Sequence, residues 1–310
     1  MSSPKVAILD IGTNSVHLFI TNLDPVTGGL VYVFTKKFPI RLGIDLADSQ
    51  EIKKLSVQNL CEAIDECKEH ANRYGADLKA FATYSLRTAK NAQAVLDRVR
   101  EKTGREIVVL SGLAEAKAIF IGQQSHFQLL DDPWMMIDIG GGSTEVILGQ
   151  GNGVESKPQY HSLNLGAVTT SFRYGFLSNR HRGVQLLASK IQKTCRKDQI
   201  PEKTSPRLCY GSSGTIKAIG KLHRRLFTET DSLHGHEISL KQLWELQNVL
   251  MSWDHPRDIE RNSGLSLRRS EVIWAGMTIL LGIMHYVRCD KLVISKASVR
   301  DGLALKELTN

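Results

Sequence analysis

The chain has 310 residues, 42% of them apolar and 23% charged. That length suits two domains of ordinary size, each with its own core, and the balance excludes a mainly disordered, collagen-like or disulfide-scaffold chain. Forty Lys and Arg against 32 Asp and Glu leave a net +8, which favours anionic partners.

Residues 6–9 are a short apolar run, the pattern of a buried strand. Strands follow at 16–21 and 30–34, with Gly28-Gly29 as the turn between them. Residues 51–74 repeat apolar side chains at helical spacing. A strand at 78–83, a helix at 89–100, a strand at 106–110 and a helix at 113–124 complete the first half, with Ser111 placed to cap the last helix. Asp131-Asp132-Pro133 reads as a loop and the strand pattern restarts at Trp134, so a domain boundary is expected at 125–133. Beyond it, strands at 134–138, 145–148, 160–165, 208–210 and 292–295 alternate with helices at 183–197, 215–226, 239–251 and 270–287. The fold class is α/β.

The apolar stretch 272–287 is short for a span and contains Thr278 and His285, so it reads as a buried helix and no membrane partner is expected. Met1-Ser2-Ser3-Pro4-Lys5 lacks the regions of a signal peptide. The five cysteines, at 61, 67, 195, 209 and 289, include no CxxC pair. They read as buried free thiols of a reducing, cytoplasmic compartment.

The positive charge is concentrated. Residues 157–225 hold 14 Lys and Arg against only Asp198 and Glu202, a local +12. Such a field attracts polyanions, and the same run also reads as a solvated basic face. It has few interleaved aromatics and no RNA-binding or zinc-finger signature, so nucleic acid is not the expected partner.

One repeat matters. Asp10-Ile11-Gly12-Thr13-Asn14-Ser15 and Asp138-Ile139-Gly140-Gly141-Gly142-Ser143 coincide in Asp, Ile, Gly and Ser at an offset of 128. Each follows an apolar run and precedes another, so each reads as a hairpin turn without bulky side chains. One copy in each half suggests two related domains. Small residues let several backbone N–H groups converge on an anion, and the hydroxyls add donors. Thr13, Asn14 and Ser15, and Gly140, Gly141, Gly142 and Ser143, thus read as phosphate cradles. A plain tight turn is the alternative for either copy alone. Asp10, Asp138 and Glu145 flank these turns. Carboxylates repel phosphate, so bound Mg²⁺ is the natural intermediary; an Asp capping its own turn is the alternative. Other phosphate motifs fail: Gly214 to Gly220-Lys221 has the wrong spacing for a Walker loop, and no His-Asp dipeptide occurs. His234-Gly235-His236-Glu237 reads as a loop before a helix, not as a metal site.

These motifs together resemble the exopolyphosphatase/guanosine pentaphosphate phosphohydrolase (Ppx/GppA) family, within the actin-like ATPase and sugar-kinase superfamily. The pieces are Asp10-Ile-Gly-Thr-Asn-Ser-Val-His17, Arg41-Leu-Gly43, Ala82-Thr-Tyr-Ser-Leu-Arg87-Thr-Ala-Lys-Asn91 and Ser111-Gly-Leu-Ala-Glu115-Ala116. They continue with Ile137 to Glu145, Tyr210-Gly-Ser-Ser-Gly-Thr215 and Val299-Arg-Asp-Gly-Leu303. The resemblance implies two ribonuclease-H-like domains, 1–125 and 126–310, with the active site in the cleft between them. It leaves open a return of the last helix to the first domain.

It further implies Mg²⁺-dependent release of the terminal phosphate of inorganic polyphosphate. Hydrolysis of the 5′ phosphate of pppGpp, or sensing of (p)ppGpp or polyphosphate by a binding protein, is the alternative. By resemblance Glu115 is the catalytic base. Asn14, Arg87, Asp138, Gly140, Ser143 and Glu145 match positions that bind phosphate or metal. The phosphate set expected is Thr13, Asn14, Ser15, Arg87, Gly140, Gly141, Gly142, Ser143, Gly211, Ser212 and Ser213; the metal set is Asp138, Glu145 and, more weakly, Asp10. A homodimer is the expected assembly. Ala114 stands where many relatives have a second Glu. The match is to the short, two-domain form, which favours simple phosphate removal over the guanosine-nucleotide activity.

Overall fold

The computed structural model describes residues 4–129, 131–151, 157–228 and 232–309; Met1, Ser2 and Ser3, read above for a signal peptide, lie outside the described residues. The chain forms two units. Met1–Ser125 and Val299–Asn310 make the first, and His126–Ser298 the second.

The first unit holds β1 (Lys5–Ile11), β2 (Val16–Leu23), β3 (Leu30–Phe38), β4 (Ala76–Ala82) and β5 (Ile107–Val109), in the order β3-β2-β1-β4-β5. β1, β2 and β3 are antiparallel neighbours, and β4 and β5 continue parallel to β1. Its helices are α1 (Leu42–Ser49), α2 (Lys54–Tyr74), α3 (Tyr84–Thr88), α4 (Ala92–Thr103), α5 (Gly112–Gln124) and the final helix, Val299–Thr309. Side chains alternate along β1. Ala7, Leu9 and Ile11 face Leu60, Ile64, Val95 and Val99 of α2 and α4. Val6 and Ile8 face Ala118, Leu303 and Ala304 of α5 and the final helix. Burial on both faces explains why β1 reads as a continuous apolar run. The final helix sits so close to α5 that a Cβ on Gly302 would lie 1.8 Å from the Ala118 carbonyl oxygen.

The second unit holds β6 (Pro133–Ile139), β7 (Thr144–Gln150), β8 (Gln159–Leu163), β9 (Leu208–Ser212), β10 (Glu237–Ser239) and β11 (Lys291–Ile294), in the order β10-β11-β9-β6-β7-β8. Without the edge strand β10 this is the order of the first unit, with β6 in the place of β1. The repeat of the two turns is therefore a repeat of whole sheets, each with ribonuclease-H-like topology. Its helices are α6 (Ala167–Arg173), α7 (Arg180–Lys197), α8 (Ser213–Phe227), α9 (Leu240–Ser252), α10 (Pro256–Ser263) and α11 (Leu267–Val287). The final helix of the chain is α12. Among the described residues α11 is the helix long and apolar enough to cross a membrane; most of it is buried in the core of its own unit.

Short helices α1, α3, α6 and α10 have too few turns to show a period in the sequence. The sequence reads as loop through Glu237 and as helix from residue 239; the structure instead pairs Glu237–Ser239 with β11 as a short strand at the sheet edge. All five cysteines are buried free thiols, and burial pushes Cys67 and Cys195 up to about 12. The basic segment spreads over β8 to α8, and its densest exposed part is the outer face of α7, with Arg182, Lys190, Lys193, Arg196 and Lys197.

His223 of α8 is fully buried, with Nδ1 3.0 Å from His236 Nε2. Burial first, then the facing His236, holds its pKa below the ordinary 6.5. The unfolded chain therefore takes up this proton more readily than the fold. The stabilisation is full above the unfolded value and is lost as pH falls through the lowered folded one. The melting temperature should drop between neutral and mildly acidic pH, and His223→Gln should make that drop smaller. An equal drop in the variant would remove His223 as its source.

Candidate functional site

In the first unit the turn after β1 closes with Gly12 N–H donating to Ser15 O at 3.1 Å. In the second the turn after β6 closes in the same way, Gly140 N–H to Ser143 O at 2.9 Å. A Cβ on either glycine would meet that same oxygen at 3.1 Å.

The GGGS turn is pinned from behind. The N–H of Ala167 donates to Gly140 O at 2.9 Å, and those of Val168 and Thr169 donate to Gly141 O at 2.9 and 3.1 Å. In a trans peptide the N–H points opposite to the C=O. With both carbonyls turned to α6, the N–H groups of Gly141 and Gly142 face the other way. Among the described residues neither they nor Ser143 N–H donates to a backbone carbonyl. Backbone donors turned to one side of a glycine-rich turn are the arrangement that suits an anion. Gly166 makes the close approach possible, since a Cβ there would lie 2.3 Å from both Gly142 N and Gly142 C.

Asp138 and Glu145 are register partners on β6 and β7, so their side chains share a face. Ser162 is the partner of Glu145 on β8, and Ser212 that of Asp138 on β9. The four make one row across four strands. Ser162 donates to Glu145 Oε1 at 2.8 Å and Ser212 to Asp138 Oδ2 at 2.5 Å. Glu145 is 1% exposed and Ser212 fully buried. The Ser212 hydroxyl thus orients a carboxylate. Like charges directly opposite on paired strands repel, and a divalent cation relieves that repulsion. Among the described residues no cluster of three or more His, Cys, Asp or Glu could hold a metal. Two carboxylates with water and phosphate oxygens are nonetheless the donor set that Mg²⁺ takes at phosphate sites. The residues fit the ion.

The matching row of the first unit is different. Asp10 pairs with His17 on β2, and His17 with Lys37 on β3. Arg300 of α12 lies 4.0 Å from Asp10. Asp10 is surrounded by basic groups where Asp138 faces a second acid, so it is the poorer metal ligand.

Glu115 lies in the first turn of α5, capped by Ser111, whose side chain accepts from Ala114 N–H at 3.1 Å. It is 8% exposed. Arg87 Nη1 donates to Glu115 Oε2 at 3.0 Å and to Leu110 O at 2.8 Å. Arg87 Nη2 and Asn14 Oδ1 are buried without a hydrogen-bond partner among the described residues. A buried orphan donor is costly, and a phosphoryl oxygen would satisfy Nη2. Thr13 is buried, and its carbonyl accepts from Gly43 N–H at 2.8 Å.

At the turn between β9 and α8, Gly211 is wedged between Leu292 and Ile216, and Ser213 has a left-handed φ of 94°. Ser213 Oγ accepts from the N–H groups of Thr215 and Ile216 at 3.1 and 3.2 Å, so it caps α8.

The Ppx/GppA phosphatase family model matches residues 22–310. The chain belongs to the Ppx/GppA phosphatase family. Similar curated proteins include a guanosine-5'-triphosphate,3'-diphosphate pyrophosphatase of Photobacterium profundum, 26% identical over 99% of this chain and 60% of its own length. Another, of Vibrio vulnificus, is 27% identical over the same shares. The chain therefore spans about 60% of the length of these curated relatives. Among solved structures, an Aquifex aeolicus Ppx/GppA family member has a TM-score of 0.81 at 23% identity, covering 99% of this chain and 98% of that one. An exopolyphosphatase from Cytophaga hutchinsonii has a TM-score of 0.86 at 19% identity, covering 98% of each chain. These two likenesses concern the fold.

Within this family member, several residues beside the expected ones escape a reading of the sequence. Gly166 and Ser162 gain meaning only from the sheet they adjoin. Arg269, in the first turn of α11, reaches the turn between β9 and α8. Its Nη1 is 3.4 Å from Thr215 Oγ1, and a Cβ on Gly214 would lie 2.5 Å from its Nη2. His17 and Arg300 did lie inside quoted motifs, and only their neighbours give them a part.

Proposed function

We propose that this protein hydrolyses a terminal phosphoanhydride, releasing orthophosphate. The observation that carries the proposal is the Arg87–Glu115 pair, in which one guanidinium nitrogen holds the carboxylate and the other is a buried donor with no hydrogen-bond partner among the described residues. Glu115 takes a proton from the attacking water, whose oxygen bonds to the terminal phosphorus as the bridging P–O bond breaks. In the first unit Arg87, with Asn14 and Ser15, and in the second unit the amides of Gly141, Gly142 and Ser143, are each suited to hold phosphoryl oxygens. Asp138 and Glu145 would hold Mg²⁺, which would supply charge neutralisation at the phosphate.

As substrate we put guanosine 5′-triphosphate 3′-diphosphate first, because the similar curated proteins carry that activity in their names. This reverses the order expected from the sequence. Its 5′ terminal phosphate leaves, giving the tetraphosphate and orthophosphate. The exposed basic face of α7 favours linear polyphosphate as the second reading. Buried free thiols agree with a cytoplasmic location. Phosphate release from guanosine pentaphosphate and from polyphosphates of several lengths, with and without Mg²⁺, is the test. Mg²⁺-dependent release is expected, fastest from the nucleotide. Binding of either compound without release would make the protein a sensor and sink the proposal. Release unaffected by chelation would remove the metal.

A further inference from the structure

We propose that His17 is a positioning residue for Ser15, donating from Nε2–H to Ser15 Oγ so that the single hydroxyl proton of Ser15 points to a bound phosphoryl group. The inference rests on the reading of the first turn as a phosphate cradle and deepens it. His17 Nε2 lies 2.8 Å from Ser15 Oγ. Either group can supply the shared proton. If Ser15 donates to the ring, its lone pairs are left facing the anion, and both sides only accept. If the ring donates, Ser15 presents an O–H to the phosphoryl oxygen. A bound phosphate therefore selects the second arrangement.

The internal repeat sharpens the argument. At the offset of 128, Ser15 matches Ser143 and His17 matches Glu145. A carboxylate can only accept, and Glu145 accepts a hydrogen bond from the Ser162 hydroxyl on the next strand. In the second unit this position, opposite Asp138, suits a cation. In the first unit the same position holds a side chain that can donate, opposite Asp10 on β1 and beside Lys37 on β3, with Arg300 of α12 near Asp10. At this one position the two copies of the hairpin differ: a carboxylate that suits a cation in the second unit, a ring that can donate in the first.

The experiment uses the full chain and tripolyphosphate. Nitrogen-15 NMR of the histidine rings, with His17→Phe to assign the signal, reads which nitrogen of His17 carries the proton. Nε2 should be protonated in the complex; an unprotonated Nε2, or no binding of tripolyphosphate, overturns the proposal. Calorimetry in the Glu115→Gln protein then reads affinity without needing turnover. His17→Phe should weaken tripolyphosphate binding about tenfold, as expected for a lost charge-assisted hydrogen bond. His17→Gln, which keeps an N–H at that reach, should restore most of the affinity. In the Ser15→Ala background His17→Phe should add nothing. An equal loss with and without the serine hydroxyl would make His17 merely structural and end the proposal. Failure of the wild-type protein to release phosphate would overturn the hydrolase reading alone, since these measurements do not depend on turnover.

Discussion

Glu115→Gln is expected to lower kcat by about 10²–10⁴-fold, the loss typical of a removed general base, with substrate affinity largely kept. The substitution is close to isosteric. Glutamine still offers an oxygen to Arg87 Nη1, so the contact that fixes the side chain survives. Ser111 still caps α5, so the helix start is unchanged. What disappears is the ability to take a proton. Steady-state kinetics on guanosine pentaphosphate, beside a melting curve, separates the two. A variant that turns over near the wild-type rate, while folded, would show that another group activates the water.

The fold was legible where burial is continuous and elements are long. β1 and β6 are apolar on both faces, and α2 and α11 run for 21 residues each, enough turns for a period or an unbroken apolar content to show. The turns were legible for a different reason. A glycine whose Cβ would crowd the carbonyl three residues on is a local demand, and it appears in the sequence at both copies. The orientation of the donors was not legible, because it is set by α6, whose amides hold the turn carbonyls from more than twenty residues away. The Ser162–Glu145–Asp138–Ser212 row was hidden for the same cause: strand register brings together residues that no local spacing connects. Asp10 and Asp138 are identical in the repeat and differ only in their neighbours across the strand.

That dependence of the turn on α6 makes Gly166→Ala the second large effect. A methyl group there would overlap Gly142 N and C at 2.3 Å, and these are backbone atoms that no rotamer change can move aside. Separating them to ordinary contact requires a shift of about 1 Å, and a misplacement of that size near reacting groups costs about 10²-fold in rate. Either the turn moves, misaiming the Gly141 and Gly142 amides, or α6 retreats and releases the carbonyls of Gly140 and Gly141. The fold pays about 1–3 kcal/mol for such overpacking, which a domain of this size survives. kcat/KM should therefore fall by about 10²-fold in a protein that still melts cooperatively. Gly29→Ala, in the hairpin between β2 and β3 with only Thr27 Oγ1 at 3.4 Å, is the control and should leave both quantities near wild type. Near-normal kcat/KM in Gly166→Ala would mean that the turn bends freely, and a cradle that bends freely cannot be preorganised for the transition state.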